Sequence, residues 1–235
     1  MIQLFYKNSI ISLCMLFSGF VLGQSGADSL QIQPVDSKYL EDQFYVGVGY
    51  NLLLNGPDAL DQRNLSYNLQ FGFIKDIPLN KRRNFGFGVG LGYATNSYYS
   101  NMGVTKDGDV RIYQIVDDEN FNRSKLETHA IELPLEIRWR TSTAEEYKFW
   151  RIYAGAKLGY VFSGRSKLVA DDGNISFSNS DIDALQYGLM LNFGYNTWNI
   201  HVYYGLNPLL KKEVSLASES IELRILRVGL TFYIL

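Results

Sequence analysis

Residues Phe85 to Tyr93 read FGFGVGLGY, in which large apolar side chains at Phe85, Phe87, Val89, Leu91 and Tyr93 alternate with glycine at Gly86, Gly88, Gly90 and Gly92. A period of two marks a strand whose faces meet different surroundings. Glycine inside a strand loses backbone entropy and offers nothing to pack, so a strand carrying four of them has one face without room.

The same alternation recurs along the chain. Phe44, Val46, Val48, Tyr50 and Leu52 alternate with Tyr45, Gly47, Gly49 and Asn51, and Tyr67, Leu69, Phe71 and Phe73 with Asn68, Gln70 and Gly72. A fourth run sets Ile131, Leu133, Leu135, Ile137 and Trp139 against Glu132, Pro134, Glu136, Arg138 and Arg140. The fifth sets Trp150, Ile152, Ala154, Ala156, Leu158, Tyr160 and Phe162 against Arg151, Tyr153, Gly155, Lys157 and Gly159. Three more span Leu185 to Phe193, Trp198 to Leu206 and Leu226 to Ile234. Eight strands of about ten residues, each greasy on one face and small or polar on the other, predict an all-β fold: an eight-stranded antiparallel transmembrane β-barrel. In a soluble sandwich the apolar set would fill the interior, leaving glycine, charge and amide to cover the outside. That set is too sparse to cover it. A bilayer explains the pattern better, because a closed barrel satisfies every backbone group where water cannot.

Composition agrees with strands, since 17 Tyr, 14 Phe and 21 Gly accompany only five Pro. The balance of 22 basic and 24 acidic residues, without a long basic run, points away from a nucleic-acid partner. At the N-terminus Lys7 precedes the mostly apolar stretch Ser9 to Leu22, and Val21-Leu22-Gly23 offers a cleavage site, so residues 1–23 are expected to be a signal peptide. An uncleaved anchor is disfavoured by the short apolar stretch. Residues 24–42 read as a polar periplasmic tail and 43–235 as the barrel. The single cysteine, Cys14, lies in the leader after Leu13, against lipidation, and its removal leaves no thiol for a disulfide or metal site.

An eight-stranded barrel is just wide enough for side chains to fill. The glycines of the third strand lie beside the charges of the fourth, so small meets large. If the turn between Arg140 and Arg151 sets the register, Lys157 faces Pro134 with Glu132 and Glu136 diagonal to it, as buried charges require. A lumen ion-pair network of Glu132, Glu136, Arg138, Arg140, Arg151 and Lys157 is expected to plug the barrel, with a proton or ion path as the sharper alternative. Pro134 removes a ladder hydrogen bond and predicts a bulge or gap. Long connections after Leu53, Ala94, Ser163 and Asn207 are assigned outside, and short ones over Lys75–Asn84, Thr141–Phe149 and Asn196–Thr197 to the periplasm, with both barrel termini there. Trp139, Trp150 and Trp198 at the short-turn ends and Tyr93 and Tyr160 among the tyrosines at the other ends form two interfacial belts. The expected location is the outer membrane of a Gram-negative bacterium, with its lipid and lipopolysaccharide as partners.

Two histidines test a catalytic reading. His129 has lipid-face parity near the external end, whereas His201 points into the lumen near the other, so they cannot share a site. No serine or acid stands at a recognisable spacing, and neither an enzyme nor a cofactor is expected. KDGDV at Lys106, DDENFN at Asp117 and DDGN at Asp171 lack the spacing of calcium loops and read as turns, so no metal site is expected.

The leader ending in Gly-Gln, FIKDIPLNKRRNFGFGVGLGY from Phe73, ELPLEIRWR from Glu132 and FWRIYAGAKLGYVF from Phe149 together resemble the PorT-like outer-membrane barrels of Bacteroidota. That resemblance implies a link to type IX protein secretion and brings no catalytic residues. The expected function is a noncatalytic structural or secretion-accessory barrel, holding secretion proteins by its loops or by turns such as the basic Lys81 to Arg83. The alternative is a narrow channel for ions or small solutes, and lumen size favours the accessory role.

Overall fold

A computed structural model describes residues 42–116, 121–141, 149–170, 173–216 and 219–234. The expected signal peptide, and all of the expected tail except Asp42, lie outside them. Thirteen strands occur among the described residues: β1 (Gln43–Leu54), β2 (Tyr67–Pro78), β3 (Phe85–Ser100), β4 (Met102–Asp107), β5 (Val110–Ile115), β6 (Phe121–Arg140), β7 (Trp150–Ala170), β8 (Gly173–Ser178), β9 (Leu185–Tyr195), β10 (Trp198–Gly205), β11 (Ser215–Leu216), β12 (Glu219–Ser220) and β13 (Arg224–Ile234).

Eight of them close a cylinder in the order β1, β2, β3, β6, β7, β9, β10, β13, and β13 returns to β1 from Phe44↔Ile234 to Leu54↔Arg224. Each neighbouring pair is antiparallel. Closure leaves no edge in the cylinder wall, which is what a sheet surrounded by hydrocarbon requires. The faces divide as the alternation predicts. Leu191 is 45% exposed and Phe44 61%, while Lys157 is 3% exposed and Arg138 0%.

The third strand's glycines make room by close approach. A Cβ on Gly88 would stand 2.8 Å from Cδ of Arg138, and one on Gly90 would stand 2.8 Å from Cγ of Pro134. The proline also interrupts the ladder. Val89 pairs with Leu135 and Gly92 with Glu132, but the pairings between them drop out while the register on either side is unchanged. The irregularity at Pro134 is thus a gap and not a bulge.

Several strands run further than the alternation marks, β6 among them, since it begins at Phe121. β2 continues through Lys75 to Pro78, where the sequence reads as a turn, and so carries Asp76 into the lumen. β3 runs past Ala94 to Ser100. β7 runs past Ser163 to Ala170, because His129 pairs with Ser163 and Ala130 with Val161, leaving Phe162 as an extra residue. One extra residue exchanges the two faces of everything beyond it. Below the bulge, odd-numbered residues such as Tyr153 and Lys157 point inward; above it, Ser166 and Leu168 do.

Beyond the cylinder, β6, β7 and β8 form an external sheet and β4 and β5 a hairpin turning at Gly108. The expected turn at KDGDV is this one, and Gly108 takes the left-handed φ of +57° that it needs. Under these strands lies an apolar cluster that includes Tyr98, Met102, Tyr113, Leu126, Leu209, Leu210, Leu216 and Leu223. It is held by backbone bonds from Leu209 N to Leu223 O at 2.7 Å and from Asp183 N to Leu209 O at 2.9 Å.

Candidate functional site

The lumen is the chemically distinctive interior of the molecule, and its charges fall into two groups. At the end joined by short turns, Asp76 on β2 accepts from Arg138 Nη1 at 3.0 Å, from Arg140 Nη1 at 3.0 Å and from Arg140 Nη2 at 2.7 Å. Arg138 also donates to the amide oxygen of Gln43. Its guanidinium lies 4.1 Å from the Tyr153 ring centre. Nε of Arg138 stands 3.5 Å from Glu136, and Asn192 donates to Glu136 at 3.4 Å.

Midway along the barrel, Lys157 Nζ lies 2.8 Å from Glu132 and donates to Gln70 at 2.7 Å. Arg227 on β13 reaches the other oxygen of Glu132 at 3.5 Å, donating also to Asn51 at 3.0 Å and Asn96 at 2.7 Å. Pro134 is the register partner of Lys157. Of the expected diagonal pair, Glu132 meets the ammonium and Glu136 turns to Arg138. Arg151 joins neither group. Its guanidinium lies 4.5 Å from the Phe149 ring and 5.3 Å from that of Tyr233, and no carboxylate pairs with it among the described residues.

Sequence reasoning did not include Asp76 and Arg227 in this network. Asp76 continues the inward parity of Asn68, Gln70 and Gly72, but apolar Ile74 occupies one inward position and disguises the strand's continuation. Arg227 has the right parity; its partnership with Glu132 crosses the lumen and has no signature in sequence spacing.

Space in the lumen is scarce. One cavity of about 20 Å³ is lined by Glu132, Lys157, Tyr203 and Arg227 among others, and one of about 10 Å³ by Tyr45, Glu136, Lys157, His201 and Thr231 among others. A water molecule needs about 10–15 Å³ by this measure, so each has room for roughly one. Above the charges sits the apolar cluster. Ion pairs thus fill the lumen at its short-turn end and middle, and leucine-rich packing fills it at the long-loop end.

The two histidines lie apart. His201 is buried and its Nδ1 lies 2.7 Å from Oδ1 of Asn192. His129 is on the outer face, with Nδ1 2.6 Å from the Tyr93 hydroxyl and Nε2 3.2 Å from Glu127. Trp139, Trp150 and Trp198 are exposed at the short-turn end, and Tyr160 is exposed, with Tyr93 half-buried, toward the other.

Outside the membrane-spanning segments, the ionisable groups with perturbed affinities include Glu127, Asp42 and Tyr113. The ammonium of Lys125 holds the Glu127 carboxyl below the usual glutamate range, against the opposing effect of burial. For Asp42, burial pulls upward, but hydrogen bonds from Lys75 and the Asp76 amide win and lower it. Burial pushes the Tyr113 phenol up, against a hydrogen bond from Asn179.

Over residues 24–211 the sequence matches the family described as outer membrane protein beta-barrel domain. No curated protein matches it in sequence. Among solved structures, it is similar to Ail, the attachment invasion locus protein of Yersinia pestis, in complex with the heparin analogue sucrose octasulfate, at 15% identity and a TM-score of 0.32, covering 82% of this chain and 99% of that one.

Proposed function

We propose that this chain, which belongs to the outer membrane protein β-barrel domain family, is a sealed, noncatalytic barrel that serves as a structural accessory to protein secretion, with its long loops and external sheet outside the cell and both barrel termini in the periplasm. The scarcity of space in the lumen carries this reading: the two cavities lined by the charge network hold about 20 and 10 Å³, room for about one water each and too little for a solute. Activity then resides in the surfaces at the two ends. The link to type IX secretion is supported by the resemblance of the segments from Phe73, Glu132 and Phe149 to PorT-like barrels.

The experiment has two arms. Purified protein in planar bilayers is expected to give no steady conductance, and reproducible ion currents would put the narrow-channel reading ahead. Crosslinking pull-down from outer membranes, with export of secreted proteins compared in a deletion strain, tests the accessory role; unchanged export and no secretion component among the crosslinks would remove it.

A further inference from the structure

The external sheet ends in an open edge. β8 pairs with β7 along one side, from Arg165↔Ser178 to Ala170↔Gly173, and among the described residues no strand pairs with its other side. Of the backbone bonds made outside the strand ladders among these residues, none involves 173–178, and every residue of β8 except Phe177 is exposed. A row of unpaired amides and carbonyls is a template for another strand, and edges are commonly blunted by lysine, proline, a bulge or an inward charge. The β8 sequence GNISFS carries neither charge nor proline, and its register with β7 is unbroken. This edge has none of those defences.

The side chains beside the edge define what would pair there. On the outward face Ser176 stands opposite Lys167 and Ser178 opposite Arg165, and on the other face Ile175 stands opposite Leu168 and Phe177 opposite Ser166. Across β7 from the serines, Lys125 directly faces Lys167, a like-charged pair that destabilises a sheet unless an anion balances it. Among the described residues Glu127 alone supplies a carboxylate to this group, and it is held by Lys125 and His129. A strand added to β8 would lie two strand spacings from β7, about 9–10 Å. Long cations cross such a gap where the strand between them carries small side chains. The barrel wall does this already, for Arg138 and Arg140 reach Asp76 over the glycines of β3. Ser176 and Ser178 leave a similar lane for Lys167 and Arg165. On the other face Phe177 packs against the apolar cluster, while Ile175 is 42% exposed, and an apolar side chain on an added strand would cover it.

We propose that the free edge of β8 takes up an extended segment of a partner polypeptide as a further strand of the external sheet, with acidic side chains beside Ser176 and Ser178 and apolar ones beside Ile175 and Phe177. In strand addition the backbone supplies affinity and alternate side chains supply specificity. Arg165 can receive a carboxylate in bidentate fashion, and Lys167 supplies a point charge. A second copy of this chain fits the edge less well, because pairing β8 with β8 would bring another Arg165 and Lys167 to the site and no free acid. The inference goes beyond the accessory role and stands without it, since the edge is open on the long-loop end whatever system the barrel serves.

The test uses the full chain in phosphatidylcholine nanodiscs and a fluorescein-labelled octapeptide of alternating glutamate and valine, with binding read by fluorescence anisotropy. Wild type is expected to bind this peptide at least tenfold more tightly than R165Q/K167Q or I175D does. It is also expected to bind it at least tenfold more tightly than the same peptide N-methylated at every residue, which keeps the charge and removes the backbone donors. K167Q alone gives a second reading should either variant lose the heat-modifiable migration of a folded barrel. Equal binding by wild type and the folded variants overturns the proposal. So does equal binding of the N-methylated peptide, which would show attraction of charge without strand pairing, and so does equal, equally variant-sensitive binding of dextran sulfate, which would assign the cations to a polyanion. Wild-type dimers in detergent that I175D abolishes would give the edge to a second copy and overturn it as well.

Discussion

Lys157 shows how a charge is made tolerable inside an eight-stranded barrel. Its ammonium is shared between Glu132 and Gln70, and the Tyr203 ring lies 5.8 Å away. Lys157→Met leaves Glu132 with Arg227 alone, and we expect a loss of about 3 kcal/mol, as for other broken buried pairs, measured as a lowered urea midpoint of the barrel. Gly88→Val is expected to cost about 1–3 kcal/mol by overpacking, because its Cβ would meet Arg138 Cδ at 2.8 Å and Ile74 Cγ2 at 3.0 Å; the same urea titration checks it. A third residue-scale effect is acid-dependent. The folded-state affinity of Glu127 for a proton is lowered, so its stabilising contribution is complete above the unfolded glutamate value and is lost as pH falls through the folded one. Amide protection in the β6–β7 extension, taken relative to the intrinsic exchange rate at each pH, should therefore fall below about pH 4.5, the ordinary glutamate value, and Glu127→Gln should remove that pH dependence. The partners of these charges were legible to different degrees. Glu132 and Lys157 could be paired from a hairpin register because adjacent strands fix who faces whom, whereas Asp76 reaches Arg138 and Arg140 over the glycines of β3, one strand away, and Arg227 meets Glu132 across the lumen, where closure of the sheet decides.

At the scale of strands, the Phe162 bulge separates what alternation reveals from what it hides. Eight strands stand out because each keeps one period across the hydrocarbon, but the upper half of β7 has its faces exchanged and reads as loop when a single parity is followed through Ser163. The external extensions have a further reason to be obscure: their inward residues pack on apolar loop segments such as Leu209, Leu210 and Leu223, and loops that supply a core need no period. Deleting Phe162 would restore one parity along β7, turning Leu168 outward and Lys167 toward the apolar cluster. We expect such a variant to keep the heat-modifiable lower barrel and to lose its folded upper sheet, seen as rapid protease cleavage between β7 and β9. Retention of wild-type protease resistance would show that the extra residue has no role in setting the faces of the extension.

For the whole molecule, the apolar exterior, the polar centre and the closed β1–β13 seam form one consistent arrangement, and all three follow from alternation plus the length of the chain. The two seals do not follow from it equally: the charged one was foreseeable from inward Glu, Arg and Lys, while the upper one is assembled from loops whose apolar residues have no pattern. On the sealed-barrel reading proposed above each seal blocks passage alone, so Lys157→Met should raise no conductance in planar bilayers even as it lowers stability, a separation that a single-gate barrel would not show. Permeability is thereby uncoupled from abundance. A barrel sealed in this way could stand in many copies in one envelope without leaking nutrients or antibiotics, and its expression could follow the demand for surface area rather than the tolerance for holes.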